Sequence, residues 1–375
     1  MQVRNFKKWW LSLVKNLKHH QRFDAELSQT KTELSQTKTE LSQTKTELSQ
    51  TKTELSQTKT ELSQTKTELS QTKTELSQTK TELSQTKTEL SQTKTTVRKT
   101  LDFHLRKITP MAFLELLEIH LAESCNLNCF GCNHFSQIAE ESYTDLEEFE
   151  KDMSQLAKVT KGEVGVFRLM GGEPLLNPQC SNFFEVTRKY FPKSEIWLVS
   201  NGLLLEKQDR LFWQKARENK VQIRPTKYPL KIDWDKIKAL CDGNEVPLIF
   251  FNEGEVEKTS WKFTLDPEGK CDNYHSFTHC SMANHCVQFK KGRLYTCTFP
   301  AHIEHYNKKY GHTFELSPFD SISIYEVKDY QELLYFLAKP IPFCRYCKVS
   351  QWAPVGKWRP SKKDKFEYLE RKDNE

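Results

Sequence analysis

The chain has 375 residues and a formal net charge of +6, from 56 Lys and Arg against 50 Asp and Glu, with 37% hydrophobic residues and 11 cysteines. Residues 1–25 alone carry +5, whereas residues 96–375 hold 40 basic against 39 acidic side chains. The near-neutral large segment excludes an enzyme with an extended phosphate-tracking face, so no nucleic-acid partner is expected. No apolar run reaches the roughly 18 residues of a transmembrane helix.

Residues 1–25 read as a basic amphipathic helix. Phe6, Trp10, Leu13 and Leu17 recur at helical spacing, with Lys7, Lys8, Lys15 and Lys18 toward the other side. Such a helix suits the headgroup region of an anionic membrane, or the surface of a partner. Residues 26–95 are ten copies of Glu-Leu-Ser-Gln-Thr-Lys-Thr. A seven-residue period with Leu at a, Thr at d, Lys at e and Glu at g predicts a coiled coil. Two Thr per repeat weaken it, because β-branched side chains lose rotamer freedom in a helix. The block is expected to be a self-associating stalk or a polar spacer, followed by a linker over 96–113. The short run Trp9–Val14 is broken by Ser12 and has no small-residue cleavage site after it, so a secretory signal is not expected. Eleven clustered cysteines, an odd number, read as metal ligands rather than as a disulfide framework. The expected location is the reducing cytoplasm, with peripheral contact at the inner face of the membrane.

From Leu114 the pattern alternates. Strands are predicted over 114–122, 164–170, 195–200, 221–224 and 246–251, and helices over 145–159, 179–190, 206–219 and 234–240. The alternation predicts an α/β fold with a parallel sheet, which holds ligands at the carboxyl ends of its strands. The core is expected over 114–260, and a second, cysteine-rich module over 261–375.

The chemistry-bearing motifs fall at those strand ends. After the first strand come Cys125, Cys129 and Cys132, three thiols on one loop. Soft thiolates select iron–sulfur clusters or zinc. Three ligands leave one iron of a cluster open, while His134 would complete a Cys3His zinc knuckle. The second strand runs into Gly171-Gly172-Glu173-Pro174, where glycines let a ligand approach the backbone and a carboxylate can bind an ammonium group. The third strand ends in the polar pair Ser200-Asn201.

These residues, in this order, resemble the radical S-adenosylmethionine (radical SAM) superfamily over about 114–251. The resemblance implies a partial (β/α)6 barrel in which Cys125, Cys129 and Cys132 hold a 4Fe-4S cluster. Gly171, Gly172 and Glu173 match the segment for the methionyl amine of SAM, and Ser200 and Asn201 match the strand end near its ribose. One departure is Gly131 before the third cysteine, where the family often has an aromatic residue; here Phe130 lies one place earlier. The implied chemistry is reductive cleavage of SAM to a 5′-deoxyadenosyl radical, which abstracts hydrogen from a substrate and requires an electron donor.

Farther on, Cys280, Gly292 and Cys297 are spaced as in the opening of a SPASM or twitch extension, and Cys344 and Cys347 would complete four ligands for an auxiliary 4Fe-4S cluster. Cys286 rivals Cys280, and zinc rivals iron. Cys180 and Cys241 are expected to be packing thiols. Similarity of the run after Cys132 and of the Gly-Gly-Glu-Pro segment to proteins of cell-surface polysaccharide genes suggests a sugar or glycan-precursor substrate. A peptide substrate is the alternative, and a non-catalytic zinc-binding scaffold is the reading from another class.

Overall fold

Ten heptads without Gly or Pro leave nothing to interrupt a helix. In the computed structural model α1 runs Gln2–Ile108. The structure describes residues 2–251, 258–311 and 314–371. The side chain of Arg4, part of the expected basic face, and residues 372–375 of the expected C-terminal module lie outside the described set. Both Thr of a repeat bond back to the preceding turn: Thr30 Oγ1 donates to the Glu26 carbonyl at 2.8 Å and Thr32 Oγ1 to the Ser28 carbonyl at 3.0 Å. Bonding of this kind satisfies the hydroxyls without help from outside the helix. It leaves Leu34 to Leu90 as a row of single leucines, each 53–56% exposed. Among the described residues no helix is long and apolar enough to cross a membrane.

The chain divides into two units, residues 1–95 and 96–375. Within the second unit, residues 96–108 are helical rather than a linker. The reason is packing at their end. Lys107 is buried and its ammonium donates to the Ala283 carbonyl, while Asn284 Nδ2 donates to the Arg106 carbonyl at 2.9 Å.

The remaining elements of the core are β1 Leu114–Ala122, α2 Leu146–Thr160, β2 Val164–Gly171, α3 Cys180–Tyr190, β3 Glu195–Ser200, α4 Arg210–Glu218, β4 Val221–Pro225 and α5 Trp234–Gly243. Three of these helices start on an Asp whose side chain accepts from the backbone two residues into the helix: Asp145 from Glu148 N, Asp209 from Phe212 N and Asp233 from Lys236 N. Satisfying an orphan amide in this way fixes where each helix begins. Strands β1 to β4 pair in parallel, and β1 is buried on both faces, which is why it reads as Leu-Leu-Ile-Leu rather than as an alternation.

The C-terminal half contains β5 Thr259–Lys262, α6 Asn273–His279, β6 Gln288–Lys290, β7 Arg293–Tyr295, α7 Thr298–Tyr310, β8 Ser321–Ser323, α8 Tyr330–Leu337 and β9 Ala353–Lys357. It is not a detached module. Strand β6 pairs in parallel with β1, and β6, β7 and β8 continue antiparallel, giving one seven-stranded sheet in the order β4-β3-β2-β1-β6-β7-β8. The α/β class with a mostly parallel sheet stands. The strand expected over 246–251 is reduced to one bridge, Leu248 beside Ile223. Pro247 brings no amide donor to the ladder and contributes only its carbonyl, to Ile223 N at 2.8 Å. Five strands therefore run parallel among the described residues, rather than six. A separate antiparallel pair, β5–β9, joins Trp261 to Pro354.

Candidate active site

The carboxyl ends of β1, β2 and β3 lie side by side, so the loop carrying Cys125, Cys129 and Cys132 faces Gly171-Gly172 and Ser200-Asn201. All seven residues line one cavity of about 440 Å³. Backbone bonds stitch its rim: Gly172 N donates to the Ala122 carbonyl at 2.9 Å and Glu173 N to the Ser124 carbonyl at 3.1 Å. A Cβ on Gly172 would sit 2.1 Å from the Ser124 carbonyl oxygen, so the two strand ends can meet only through glycine.

Two of the three thiols accept from nearby donors, Cys125 Sγ from Leu127 N at 3.3 Å and Cys129 Sγ from Trp358 Nε1 at 3.2 Å, and Cys129 Sγ in turn lies 3.8 Å from Tyr228 Oη as a donor to it. Burial raises the Cys125 thiol above its ordinary range, with Glu173 and the other two cysteines adding to the shift. Burial and Cys129 likewise raise Cys132. Burial disfavours the charged form of Cys125 and Cys132, so thiolates here call for a cation, which is what iron would supply.

Glu173 departs from its expected place. Its carboxylate does not line the cavity but is fully buried behind it, accepting from Ser200 Oγ at 2.7 Å, Asn201 N at 2.9 Å and Leu175 N at 3.3 Å. Burial pushes its carboxyl up to about 7 against these three bonds. The side chain is a strap between the ends of β2 and β3, because the tight Gly-Gly turn directs it inward. Asn201 Nδ2 reaches forward instead, to Asn126 Oδ1 at 2.6 Å.

Gly131 also has a structural reason. Its φ is +60°, and a Cβ there would sit 2.2 Å from the Trp261 carbonyl oxygen. An aromatic residue cannot occupy that position, and Phe130 lines the cavity beside it with the Arg359 guanidinium 4.0 Å from its ring centre. Strand β9 and its continuation hold the loop from above, through Phe130 N to the Arg359 carbonyl at 3.0 Å and Ser361 N to the Asn128 carbonyl at 2.8 Å. Tyr228 and Trp358 were beyond sequence reasoning, since each lies about 100 residues or more from the cysteine it serves.

A second thiol group forms under α7. Cys280 ends α6, Cys297 caps α7, and Cys344 and Cys347 sit on and after a short 3-10 helix over Pro342–Tyr346. All four are buried, and each of Cys297, Cys344 and Cys347 is raised first by burial and also by other members of the four. Cys280 Sγ accepts from Met282 N and Ala283 N, both at 3.3 Å. Cys286 feels Glu118 and Arg168 more than Cys280. Burial lowers the pKa of Lys107, and the charges of Cys280, Cys297 and Cys344 oppose that shift. Cys180 and Cys241 are buried and apart from both groups, in the hydrophobic core.

Among the described residues neither cysteine set gathers three ligand atoms within 4.8 Å of one another; only two histidine-containing sets do. One zinc ion with Zn–S bonds of about 2.3 Å needs a tighter set, whereas a cluster spreads its ligands over several irons. His134, the fourth ligand of a zinc knuckle, turns away from the cysteines and its Nδ1 meets His120 Nε2 at 2.7 Å.

Residues 117–220 match the family described as a 4Fe-4S single cluster domain. GTP 3',8-cyclase of Clostridium botulinum is 24% identical over 150 residues, covering 40% of this chain and 44% of that protein. GTP 3',8-cyclase of Sulfurovum sp. is 31% identical over 96 residues, 24% of this chain and 28% of that one. The chain thus spans less than half the length of these curated relatives. Among solved structures, BtrN in complex with AdoMet and 2-DOIA has a TM-score of 0.42 at 16% identity, over 64% of this chain and 94% of that one. Streptococcus suis SuiB bound to S-adenosylmethionine has a TM-score of 0.26 at 18% identity, over 40% and 44%.

Proposed function

We propose that this member of the radical SAM superfamily reductively cleaves S-adenosylmethionine and uses the resulting 5′-deoxyadenosyl radical to abstract hydrogen from a small polar substrate, a sugar or glycan precursor. The observation that carries the reading is one cavity shared by three thiols of a single loop and the polar ends of β2 and β3. A 4Fe-4S cluster bound there, once reduced, supplies the electron for SAM cleavage.

The chain's own residues do the rest. Cys125, Cys129 and Cys132 hold the cluster, and the amide of Leu127, the Trp358 indole and the Tyr228 hydroxyl stabilise its thiolates. Gly171 and Gly172 let the amino-acid end of SAM lie against the backbone, and Ser200 and Asn201 face its nucleoside. Glu173 acts from behind, as a positioning residue. Strand β9 and the segment to Ser361 close the cavity and exclude water.

Cys280, Cys297, Cys344 and Cys347 hold an auxiliary 4Fe-4S cluster beside Lys107, with Cys280 favoured over Cys286 by its couplings. A cavity of about 440 Å³ that must also take SAM favours a small substrate over a peptide. A peptide whose single side chain enters the cavity is the alternative. A zinc scaffold is disfavoured by the spread of both cysteine sets. The direct test is formation of 5′-deoxyadenosine by the reduced protein.

The reading separates chemistry from placement. Phe6, Trp9 and Trp10 are 66, 57 and 53% exposed on the basic N-terminal segment, which supports contact with an anionic membrane from the cytoplasmic side. The exposed leucine row supports self-association with a second copy. A chain beginning at Thr96 is expected to keep its clusters and SAM cleavage. It should lose binding to anionic vesicles, each basic residue at the surface contributing about 1 kcal/mol. Flotation of both chains at low and high salt checks this; equal binding with and without residues 1–95 refutes the anchor.

A further inference from the structure

Five of the chain's histidines and carboxylates meet beside the thiol cavity without serving it. His120 and Glu123 come from the end of β1, His134 from the cysteine loop, and His302 and His305 from one face of α7 at a spacing of three. Glu123 Oε2 faces three imidazole nitrogens at once: His305 Nε2 at 2.8 Å, His302 Nδ1 at 3.2 Å and His120 Nδ1 at 3.2 Å. Its other oxygen is held by Lys290 Nζ at 3.2 Å.

The hydrogen-bond network fixes the proton on one of these nitrogens, His302 Nε2. Gln288 Nε2 donates to the Glu118 carboxylate and to the Cys286 carbonyl at 3.0 Å, so its oxygen is the end that faces His302 Nε2, at 3.2 Å. A carbonyl oxygen only accepts, so His302 Nε2 carries the proton. With Nε2 protonated, the 3.2 Å contact between His302 Nδ1 and Glu123 Oε2 needs either a second proton on the ring or a metal cation between the two atoms. A second proton on His302 would put a charge on a ring that is 1% exposed and stacked 3.7 Å from His120. Burial makes that costly. A cation between the lone pairs resolves the conflict, and a ligating histidine that donates its other N–H to a carbonyl is the usual second-shell arrangement of a metal site.

We infer that His302 Nδ1, His305 Nε2 and the Glu123 carboxylate form a binding site for one divalent transition-metal ion of the zinc class, separate from both cysteine sites. The three ligand atoms lie within 4.8 Å of one another. A small opening of the set gives metal–ligand bonds of about 2.0–2.2 Å to two histidines and one glutamate, a donor set that suits zinc and leaves a position open. To ligate through Nε2, His305 would carry its proton on Nδ1. The site opens on a cavity of about 260 Å³ lined by Asp145, Glu148 and Glu304 and also by Lys290 and Lys291; Lys290 pairs with Glu304 at 2.7 Å, which leaves Asp145 and Glu148 as the carboxylates that face an entering cation. The His120–His134 bond connects it to the wall of the SAM cavity, since His134 lines that space.

The test uses the full chain with its iron in place, equilibrated with zinc chloride, washed through a desalting column and assayed for zinc and iron together. The expected result is about one zinc per chain in addition to the iron, with only nitrogen and oxygen in the zinc shell by X-ray absorption. Glu123→Gln and His305→Ala should each weaken zinc binding by ~tenfold or more with iron unchanged. Three results overturn the site: a zinc-free wild type, sulfur in the zinc shell, or zinc retained at the wild-type level by both variants. The absorption spectrum of the wild type decides even if a variant loses iron. Iron content and SAM cleavage, read separately, keep a failure here distinct from a failure of the radical reading.

Discussion

Replacing Cys125, Cys129 and Cys132 together by Ala is expected to remove about four iron per chain and abolish SAM cleavage, since the proposed function makes these thiolates the cluster's protein ligands. The second cysteine set should keep its iron. Cys280, Cys297, Cys344 and Cys347 are buried under α7, held by Met282 and Ala283 amides and by the end of α1, none of which touches the first loop's thiols. Three Ala side chains cost little packing, because the thiols open on the cavity rather than on the core. Iron and sulfide analysis of the anaerobically purified variant checks the count. Unchanged iron refutes the ligand assignment, and zinc in place of iron in the wild type returns the scaffold reading.

Glu173→Ala is expected to destabilise the second unit by about 3 kcal/mol or more, because three buried donors lose their acceptor at once. Those donors are Ser200 Oγ, Asn201 N and Leu175 N. The rim formed by Ser200 and Asn201 moves with them, so SAM affinity should fall about tenfold. Glu173→Gln keeps one acceptor oxygen and turns an NH2 toward a donor on the other side, so it should recover only part of both. The carboxyl also makes stability depend on pH. Its folded pKa is raised, to about 7, first by burial. Its contribution is therefore fully present below the ordinary carboxyl range and is lost as pH rises through about 7, up to about 3 kcal/mol in all. Thermal unfolding between pH 5 and 8 should show this decline in the wild type and not in Glu173→Gln. Wild-type stability of Glu173→Ala contradicts the strap.

What the sequence made legible follows from where burial is periodic. Strands β1 to β4 were readable almost to the residue because each is a run of branched and aliphatic residues between polar breaks, and α2 and α4 between them begin on Asp. The three-cysteine loop was readable because its ligands are neighbours in sequence. Strands β6, β7 and β8 were not, since three residues are too few to display alternation. Their membership of the main sheet depends on Glu118 meeting Gln288, 170 residues away. Glu173 was assigned by motif to the ligand side, whereas its direction is decided by the Gly171–Gly172 backbone. Lys107 was assigned to a linker; its burial against Ala283 belongs to tertiary packing alone. The histidine set draws on three separate segments, and no spacing in the chain brings them to notice.

The central claim is that the cavity at the ends of β1, β2 and β3 performs reductive SAM cleavage, and one assay meets it directly. The full chain, purified without oxygen, carrying its iron and reduced with dithionite, is mixed with SAM and analysed for 5′-deoxyadenosine and methionine. The account predicts both products, in equal amounts and only with reductant, and neither from the protein lacking Cys125, Cys129 and Cys132. Iron-replete, reduced wild-type protein that leaves SAM intact would contradict it.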